Sequence, residues 1–446
     1  MYHSKRFNPI LRKLLRVDHP VPQRTDAELN AEIQRNYRWN FSVNLLDISS
    51  FWFALSFISS ATIVPLYISK LTDSTFAIGL AAVIAQSSWF LPQIFTANFV
   101  ERLPRKKPVI VNLGFFLERV PMWLLVLSAL LAVRSPTLAL IIFLGGYAWH
   151  GFGAGIVATS WQELIARCFP VERRGRFLGT SFFFGATAGA LAAGLSARLL
   201  ENYPFPTNFV YGFLLAAAFI TFSWFFLAQT REPVPSERPP RRATRQFWAD
   251  LPDLLRKDIN FRRYLVARFL FAFSAMSVGF ITVAAVRRWQ VADSVVAVYT
   301  ATWLFGQMGG NLLFGFLSDR YGHKLTLELG TIAGFSAFSL AWLAPESQWY
   351  FLVFFLMGMM DSAVILSGIL VLMEFSSADN RPTYAGITHT GVGVVNIAGP
   401  LIGAGLAAVG FNWLFAASTA LALSAFAALH WWVKEPRNQP NLDREI

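Results

Sequence analysis

The stretch Gly315-Phe316-Leu317-Ser318-Asp319-Arg320-Tyr321-Gly322-His323-Lys324 lies between two long apolar runs. Its residue types have a physical sense in that place. Gly315 would let two helices approach closely. Asp319 suits the positive N-terminal end of a helix. Gly322 permits a tight turn between two membrane spans. The basic residues would hold the turn on the cytoplasmic side. The first half of the chain carries the same pattern in degraded form: Ala97-Asn98-Phe99-Val100-Glu101-Arg102-Leu103-Pro104-Arg105-Lys106-Lys107. Alanine stands for the first glycine, Phe for Leu, Glu for Asp and Pro for the second glycine. Two copies at the same place in each half weigh far more than one.

The rest of the chain fits this frame. Of 446 residues, 55% are apolar and 14% charged, against roughly 25% charged in an ordinary soluble domain. The apolar residues run in long blocks, so lipid is the expected solvent. Spans of about 20 apolar residues are needed to cross a bilayer. Such runs read as roughly 40–67, 76–99, 108–133, 138–166, 177–199, 208–229, 261–286, 294–316, 325–344, 349–373, 383–408 and 411–433, about twelve spans by that criterion. Pro136, Pro345 with Glu346, and Gly410 with Asn412 mark the shortest turns. No cleavable signal peptide is read in the polar, basic start. The first span therefore acts as the insertion signal.

The formal net charge is +12, and its placement matters more than its size. With the N-terminus inside, cytoplasmic segments hold about 31 of the 38 Lys and Arg, as the positive-inside rule requires. Both termini are therefore placed in the cytoplasm, and the membrane is read as the plasma (inner) membrane. The basic tail, with Lys5, Arg6, Arg12, Lys13 and Arg16, is suited to anionic lipid. Segment 230–260 reads as a linker. Phe247, Trp248, Leu251, Leu254 and Leu255 recur there at helical spacing, which predicts an amphipathic helix at the interface. Cys168 is the single cysteine. It excludes an internal disulfide and a cysteine-built metal cluster.

The paired loops resemble the cytoplasmic signature of the major facilitator superfamily. Further marks repeat between the halves: Glu163 with Arg174 at the end of span 4, Glu374 with Arg381 at the end of span 10, and Gly179 and Gly386 at the starts of spans 5 and 11. Gly399-Pro400-Leu401-Ile402-Gly403 in span 11 resembles the helix-bending motif that the family's antiporters carry in span 5. Close packing through small residues is the simpler reading. The family's drug–proton antiporters carry an Arg in span 4, four residues before a Gly. Counted back from Gly153, that position here is Trp149. The resemblance covers about residues 40–433. It implies an all-α membrane protein of 12 spans in two pseudo-symmetric six-helix bundles, 40–229 and 261–433, between cytoplasmic tails 1–39 and 434–446. It implies a central cavity lined by spans 1, 4, 7 and 10, and alternating access between two faces.

Ionisable residues at membrane depth are expensive and are functional candidates by default. Asp361 in span 10 and His150 in span 4 fall at equivalent depths when the halves are aligned. Such a pair could bind a proton or a cationic group, or each could make a buried structural hydrogen bond. Asp47 in span 1 and Arg268 in span 7 carry opposite signs at equivalent places. An inner gate and separate local partners both remain open for them. Glu118 and Arg119 in span 3 are consecutive, so they point about 100° apart on an α-helix and are not ideally placed to pair. A structural ion network is expected there. At the cytoplasmic surface Glu163 could meet Arg102 or Arg105, and Glu374 could meet Arg320, as a state-dependent latch. Glu101 and Asp319 belong to the same loops. Gln86, Trp89, Gln93, Gln307, Asn311, His389 and Asn396 add polar or aromatic positions, and Trp149 beside His150 offers an aromatic face.

The reading is a secondary active transporter of a small organic solute, with proton coupling left open. Its partners are the lipid bilayer and a small-molecule substrate, with a monomeric functional unit and no nucleic acid. No cofactor or metal is implied. The alternative is a receptor, sensor or assembly partner on the same scaffold. An enzyme is not supported, because Gly151, Gly153 and Gly155 complete no phosphate-binding fingerprint and no nucleophile stands with a base.

Overall fold

The computed structural model describes residues 9–93, 96, 100, 103–235, 255–375 and 381–436, without the side chains of 171, 172, 175, 319, 369, 373, 381–383 and 385. All regular structure among the described residues is helical. Nine helices there are long and apolar enough to cross a membrane: Val109–Leu131, Pro136–Cys168, Arg176–Asn202, Thr207–Leu227, Ile259–Trp289, His323–Leu343, Trp349–Leu372, Gly386–Val409 and Phe411–Trp432. They coincide with spans 3–7 and 9–12. Span 8 lies within the helix Asp293–Tyr321, and Thr75–Ser87 is the described part of span 2. The expected interfacial helix around Phe247–Leu254 lies outside the described residues, as do Glu101 and Arg102.

By its contacts the chain divides into two compact units. Met1–Ile58 and Ser88–Arg241 form the first; Ser59–Ser87 and Arg242–Ile446 form the second. The division runs through span 1, because that span is broken. Its first helix starts well before the apolar run, at Asp26, and stops at Ser56. Thr25 starts it with a reciprocal cap. The Thr25 N–H donates to Glu28 Oε2 at 2.9 Å, and the Glu28 N–H donates to Thr25 Oγ1 at 3.3 Å. This is the capping box, which satisfies two otherwise orphaned donors. Those bonds hold the Glu28 carboxyl below the usual range. A second helix, Ile63–Leu71, resumes after the break.

In the first unit the helix Asp26–Ser56 packs against spans 5 and 6. Phe169 and Phe177 stack at 4.0 Å between ring centroids, with Tyr37 and Phe41 edge-on to them. Span 3 begins as two π-helical turns, Val109–Leu113 and Phe115–Arg119, and becomes α-helical at Met122. Pro121 has no N–H to offer the preceding turn, and π turns are a common way to absorb such a gap. Span 4 starts with Pro136 at its first position, where a missing N–H costs nothing. A Cβ on Gly153 would run into the backbone of Leu117, and one on Gly155 into that of Ser88. These glycines seat span 4 against spans 3 and 2. The short helix Pro9–Leu15 folds back onto span 3, with Leu15 buried against Leu103, Val109 and Val157.

The second unit holds spans 7–12 with Ile63–Leu71 and Thr75–Ser87. Span 7 is interrupted at Ala275–Ser277 by a 3₁₀ turn. Spans 8 and 10 meet backbone to backbone. A Cβ on Gly306 would strike the carbonyl of Phe355, and one on Gly310 would come within 2.8 Å of Ser362 Cβ. Gly322 has φ +98 between the helices of spans 8 and 9, so the expected tight turn is present and needs glycine. Gly315 is different. A Cβ there would find Leu366 at an ordinary 4.0 Å, so close approach is not its reason. Pro400 lies inside the helix Arg381–Val409. Its neighbourhood is closely packed: a Cβ on Gly79 would lie 2.7 Å from Ala404 Cβ, and one on Gly403 2.7 Å from the Met276 carbonyl.

Candidate functional site

Four deep ionisable groups of the first unit form one buried cluster. Asp47, Glu118, Arg119 and His150 are 4%, 4%, 3% and 5% exposed. Ser223 in span 6 donates to Asp47 Oδ1 at 2.5 Å. Arg119 pairs directly with Glu118. This corrects the expectation from ideal α-helical angles. The two residues end a π-helical turn, where consecutive side chains are not spread as in an α-helix. A buried guanidinium also leaves a buried carboxylate strong reason to reach it. His150 Nδ1 donates to the Glu118 carbonyl at 2.8 Å, which fixes the proton on Nδ1. Trp149, beside it, is 45% exposed.

In the second unit, Asp361 accepts from Trp303 Nε1 at 3.0 Å, which joins span 10 to span 8. Ser362 donates to Asn311 Oδ1 at 2.9 Å between the same helices. Gln307 is buried there. Arg268 lies in span 7, with its guanidinium carbon 5.9 Å from the centroid of the Phe271 ring. Tyr264 on its own helix and His389 on span 11 are its polar neighbours.

At the ends of spans 4 and 10 that carry Glu163 and Glu374, the structure gives these partners among the described residues. Glu163 meets Arg167 at 3.0 Å, one turn along its own helix. Arg105 donates to the carbonyls of His19 and Pro20. Arg320 stands over the Tyr321 ring, and Glu374 Oε1 lies 3.9 Å from His323 Nε2. Lys106 turns inward and donates to the carbonyls of Val100 and Leu103 at 2.5 and 2.9 Å, as a basic residue does at the end of a helix.

The sequence pattern of the Major Facilitator Superfamily matches residues 46–310 and 264–445. The chain belongs to the Major Facilitator Superfamily. It is a multi-pass integral membrane protein, by that family and its helices. Solute carrier family 22 member 6-B of Xenopus laevis is 28% identical over 147 residues, 33% of this chain and 25% of the relative. Organic anion transporter 3 of Mus musculus is 30% identical over 136 residues, 30% of this chain and 25% of the relative. Organic cation transporter-like protein of Drosophila melanogaster is 33% identical over 106 residues, 23% of this chain and 18% of the relative. The aligned part thus spans a quarter or less of these relatives. A solved D-xylose–proton symporter superposes with TM-score 0.65 at 13% identity, covering 90% of this chain and 98% of its own. The nucleoside transporter NupG does so with TM-score 0.60 at 15% identity, covering 88% and 100%.

Two groups of contacts in this Major Facilitator Superfamily chain were not read from its sequence. The first is a repeated clamp. Asn40 in span 1 exchanges two hydrogen bonds with the backbone of Arg231, just after span 6. Asn260 in span 7 exchanges the same two with Lys434, just after span 12. The next residue is a glutamate both times. Glu232 accepts from the N–H groups of Lys106 and Lys107 at 2.8 and 3.0 Å, and from Arg167 at 3.1 Å. Glu435 lies against Gly322, where span 9 begins. The repeated triplets Arg231-Glu232-Pro233 and Lys434-Glu435-Pro436 were the available signal.

The second group is a latch inside the second unit. Lys70 pairs with Asp293 at 2.8 Å, and Arg287 with Asp73 at 3.3 Å. Thr62 and Thr300 hydroxyls meet at 2.5 Å, and Thr282 donates to the Ala61 carbonyl at 2.6 Å. Asn396 donates to the Gln86 carbonyl at 3.2 Å. Spans 1 and 2 are thereby tied to spans 7, 8 and 11.

Proposed function

We propose that this chain is a secondary active transporter that moves a small organic solute by alternating access. The latch carries the proposal. Ser59–Ser87 continues the first-half helices in sequence but is held by second-half side chains. The break in span 1 leaves the Ala61 carbonyl outside helical bonding, and Thr282 satisfies it. An unsatisfied carbonyl at membrane depth costs several kcal/mol, while water at an opened face could replace Thr282. Two discrete arrangements around a broken helix are what alternating access needs. On the positive-inside orientation, both termini face the cytoplasm and this latch lies toward the outer face of the second unit. Relatives named as organic anion and organic cation transporters support an organic solute and leave its charge open. Asp361 and His150 are the proposed proton-coupling groups, in a monomeric unit of the plasma (inner) membrane.

The test is solute counterflow in proteoliposomes with a panel of labelled organic anions, cations and neutral solutes. A Thr62→Cys/Thr300→Cys pair, crosslinked by oxidation, should abolish flux, and reduction should restore it. Flux unaffected by a quantitative crosslink would overturn the role of the latch. Absence of counterflow for every solute would favour a receptor or sensor on the same scaffold. Asp361→Asn should remove the response of flux to a pH step. An unchanged response would remove Asp361 from proton coupling.

A further inference from the structure

We infer that Arg268, with Tyr264 and His389, forms a subsite for the carboxylate of an aromatic organic anion. The inference rests on the transport reading above and gives the solute its charge. A guanidinium stays protonated in a protein. Arg268 lies nine residues past the start of the helix at Ile259, about 13 Å along its axis. A permanent charge at that depth is expensive unless something answers it.

Three described carboxylates of the second unit have other partners. Asp361 is held by Trp303 of span 8. Asp258 caps its own helix through the Phe261 N–H and accepts from Tyr384. Glu328 sits with Lys324 and His430. Among the described residues, no carboxylate lies within ion-pair distance of Arg268. The contrast with the first unit is direct, for Arg119 has Glu118 and Arg167 has Glu163 and Glu232.

The surroundings add donors and ring faces. The buried Tyr264 hydroxyl lies against the Arg268 guanidinium on the same helix, and no other described residue bonds to it. His389 on span 11 lies within electrostatic reach of Arg268. Phe271 lies beside the guanidinium, and Phe269 and Phe273, on the same helix, pack with Val392 and Val395 of span 11. Gly391 makes the room, because a Cβ there would strike the Phe269 ring. Arg268 itself is only partly buried, so a ligand can reach it. A planar fork of donors matches a carboxylate in two parallel bonds, and apolar walls around a few polar groups are how small-molecule sites are built.

The probes are benzoate, its neutral analogue benzamide and the cation benzylammonium, bound to the purified full-length protein and read by saturable thermal stabilisation. Benzoate should bind the wild type at least about tenfold more tightly than benzamide, and Arg268→Gln should weaken benzoate about 10- to 100-fold while leaving benzamide unchanged. Arg268→Lys keeps the charge without the fork and should fall between. Tyr264→Phe and His389→Gln should each cost benzoate about 2- to 10-fold. Elution of each variant as the wild-type monodisperse species controls for folding. Three results would overturn the inference: no saturable benzoate binding, equal binding of benzamide or benzylammonium, or unaltered benzoate binding by Arg268→Gln. The last is the result if Arg268 merely reaches for the lipid headgroups. The two readings fail separately. Benzoate binding that depends on Arg268 without any counterflow removes the transport reading alone. Counterflow of neutral or cationic solutes that ignores Arg268 removes the anion subsite alone.

Discussion

Asn40 holds the backbone of Arg231 from both sides, its Nδ2 donating to the carbonyl at 3.0 Å and its Oδ1 accepting from the N–H at 2.9 Å. A side-chain amide is the one group that can mimic a strand partner in this way. The segment leaving span 6 is thus fixed along span 1, and Trp39 adds a bond to the Gln229 carbonyl. Asn260 and Lys434 repeat the geometry in the second unit. Asn40→Ala should destabilise the protein by about 1–3 kcal/mol, the cost of leaving buried partners unmet. Asn260→Ala should do likewise. The two are far apart in the chain and share no partner, so their effects should add to within about 0.5 kcal/mol. Thermal unfolding in detergent of the single and double variants measures this.

Glu232 carries the clamp to the start of span 3. Its carboxylate meets two helix N-terminal N–H groups and Arg167. Bonds to a charged acceptor contribute about 1.5–3 kcal/mol. Glu232→Gln should therefore lower stability by about that amount. It should also raise protease cleavage near 103–107, because the helix start is no longer held. A variant with wild-type cleavage would show that the packing of Leu103 and Val109 suffices.

The Glu118–Arg119 pair gives an asymmetric expectation. Glu118→Gln leaves a buried guanidinium without its counter-charge, which costs about 3–5 kcal/mol. Replacing both, as Glu118→Gln with Arg119→Met, should recover much of that loss, because no buried charge is then stranded. Equal damage from single and double variants would argue instead for a role of Arg119 in holding Asp47. Melting temperature of the three proteins distinguishes these outcomes.

Neighbouring glycines in span 8 should respond in opposite ways. A Cβ on Gly310 would come within 2.8 Å of both Cβ and Oγ of Ser362. Gly310→Ala should therefore cost about 1–3 kcal/mol by overpacking. A Cβ on Gly309 meets nothing within 4 Å. Gly309→Ala should be neutral or stabilising by up to about 1 kcal/mol, the helix-propensity difference. Parallel unfolding measurements on the two variants suffice.

Much of the fold was legible before any coordinates. Spans 3–7 and 9–12 fall where hydropathy put them, and Pro136, Gly322 and Gly410 sit at the turns they were read as marking. The site was less legible. Asp47, His150 and Asp361 were singled out by depth, but their partners Ser223, the Glu118 carbonyl and Trp303 were not. Pairing of Glu118 with Arg119 was not foreseen, because an ideal helix was assumed where π turns occur.

The sequence by itself determined that the chain spans a membrane many times, in two repeated halves, and that it carries the loops of one superfamily. Those properties are sums over local residues: apolar length, charge placement and glycine at a turn. Only the tertiary structure decided that Ser59–Ser87 joins the second unit, that Asn40 clasps a residue 191 positions away, and that no carboxylate among the described residues pairs with Arg268. Each depends on which side chains meet in space. Helix breaks and π turns shift those meetings by a fraction of a turn, and no local pattern records the shift.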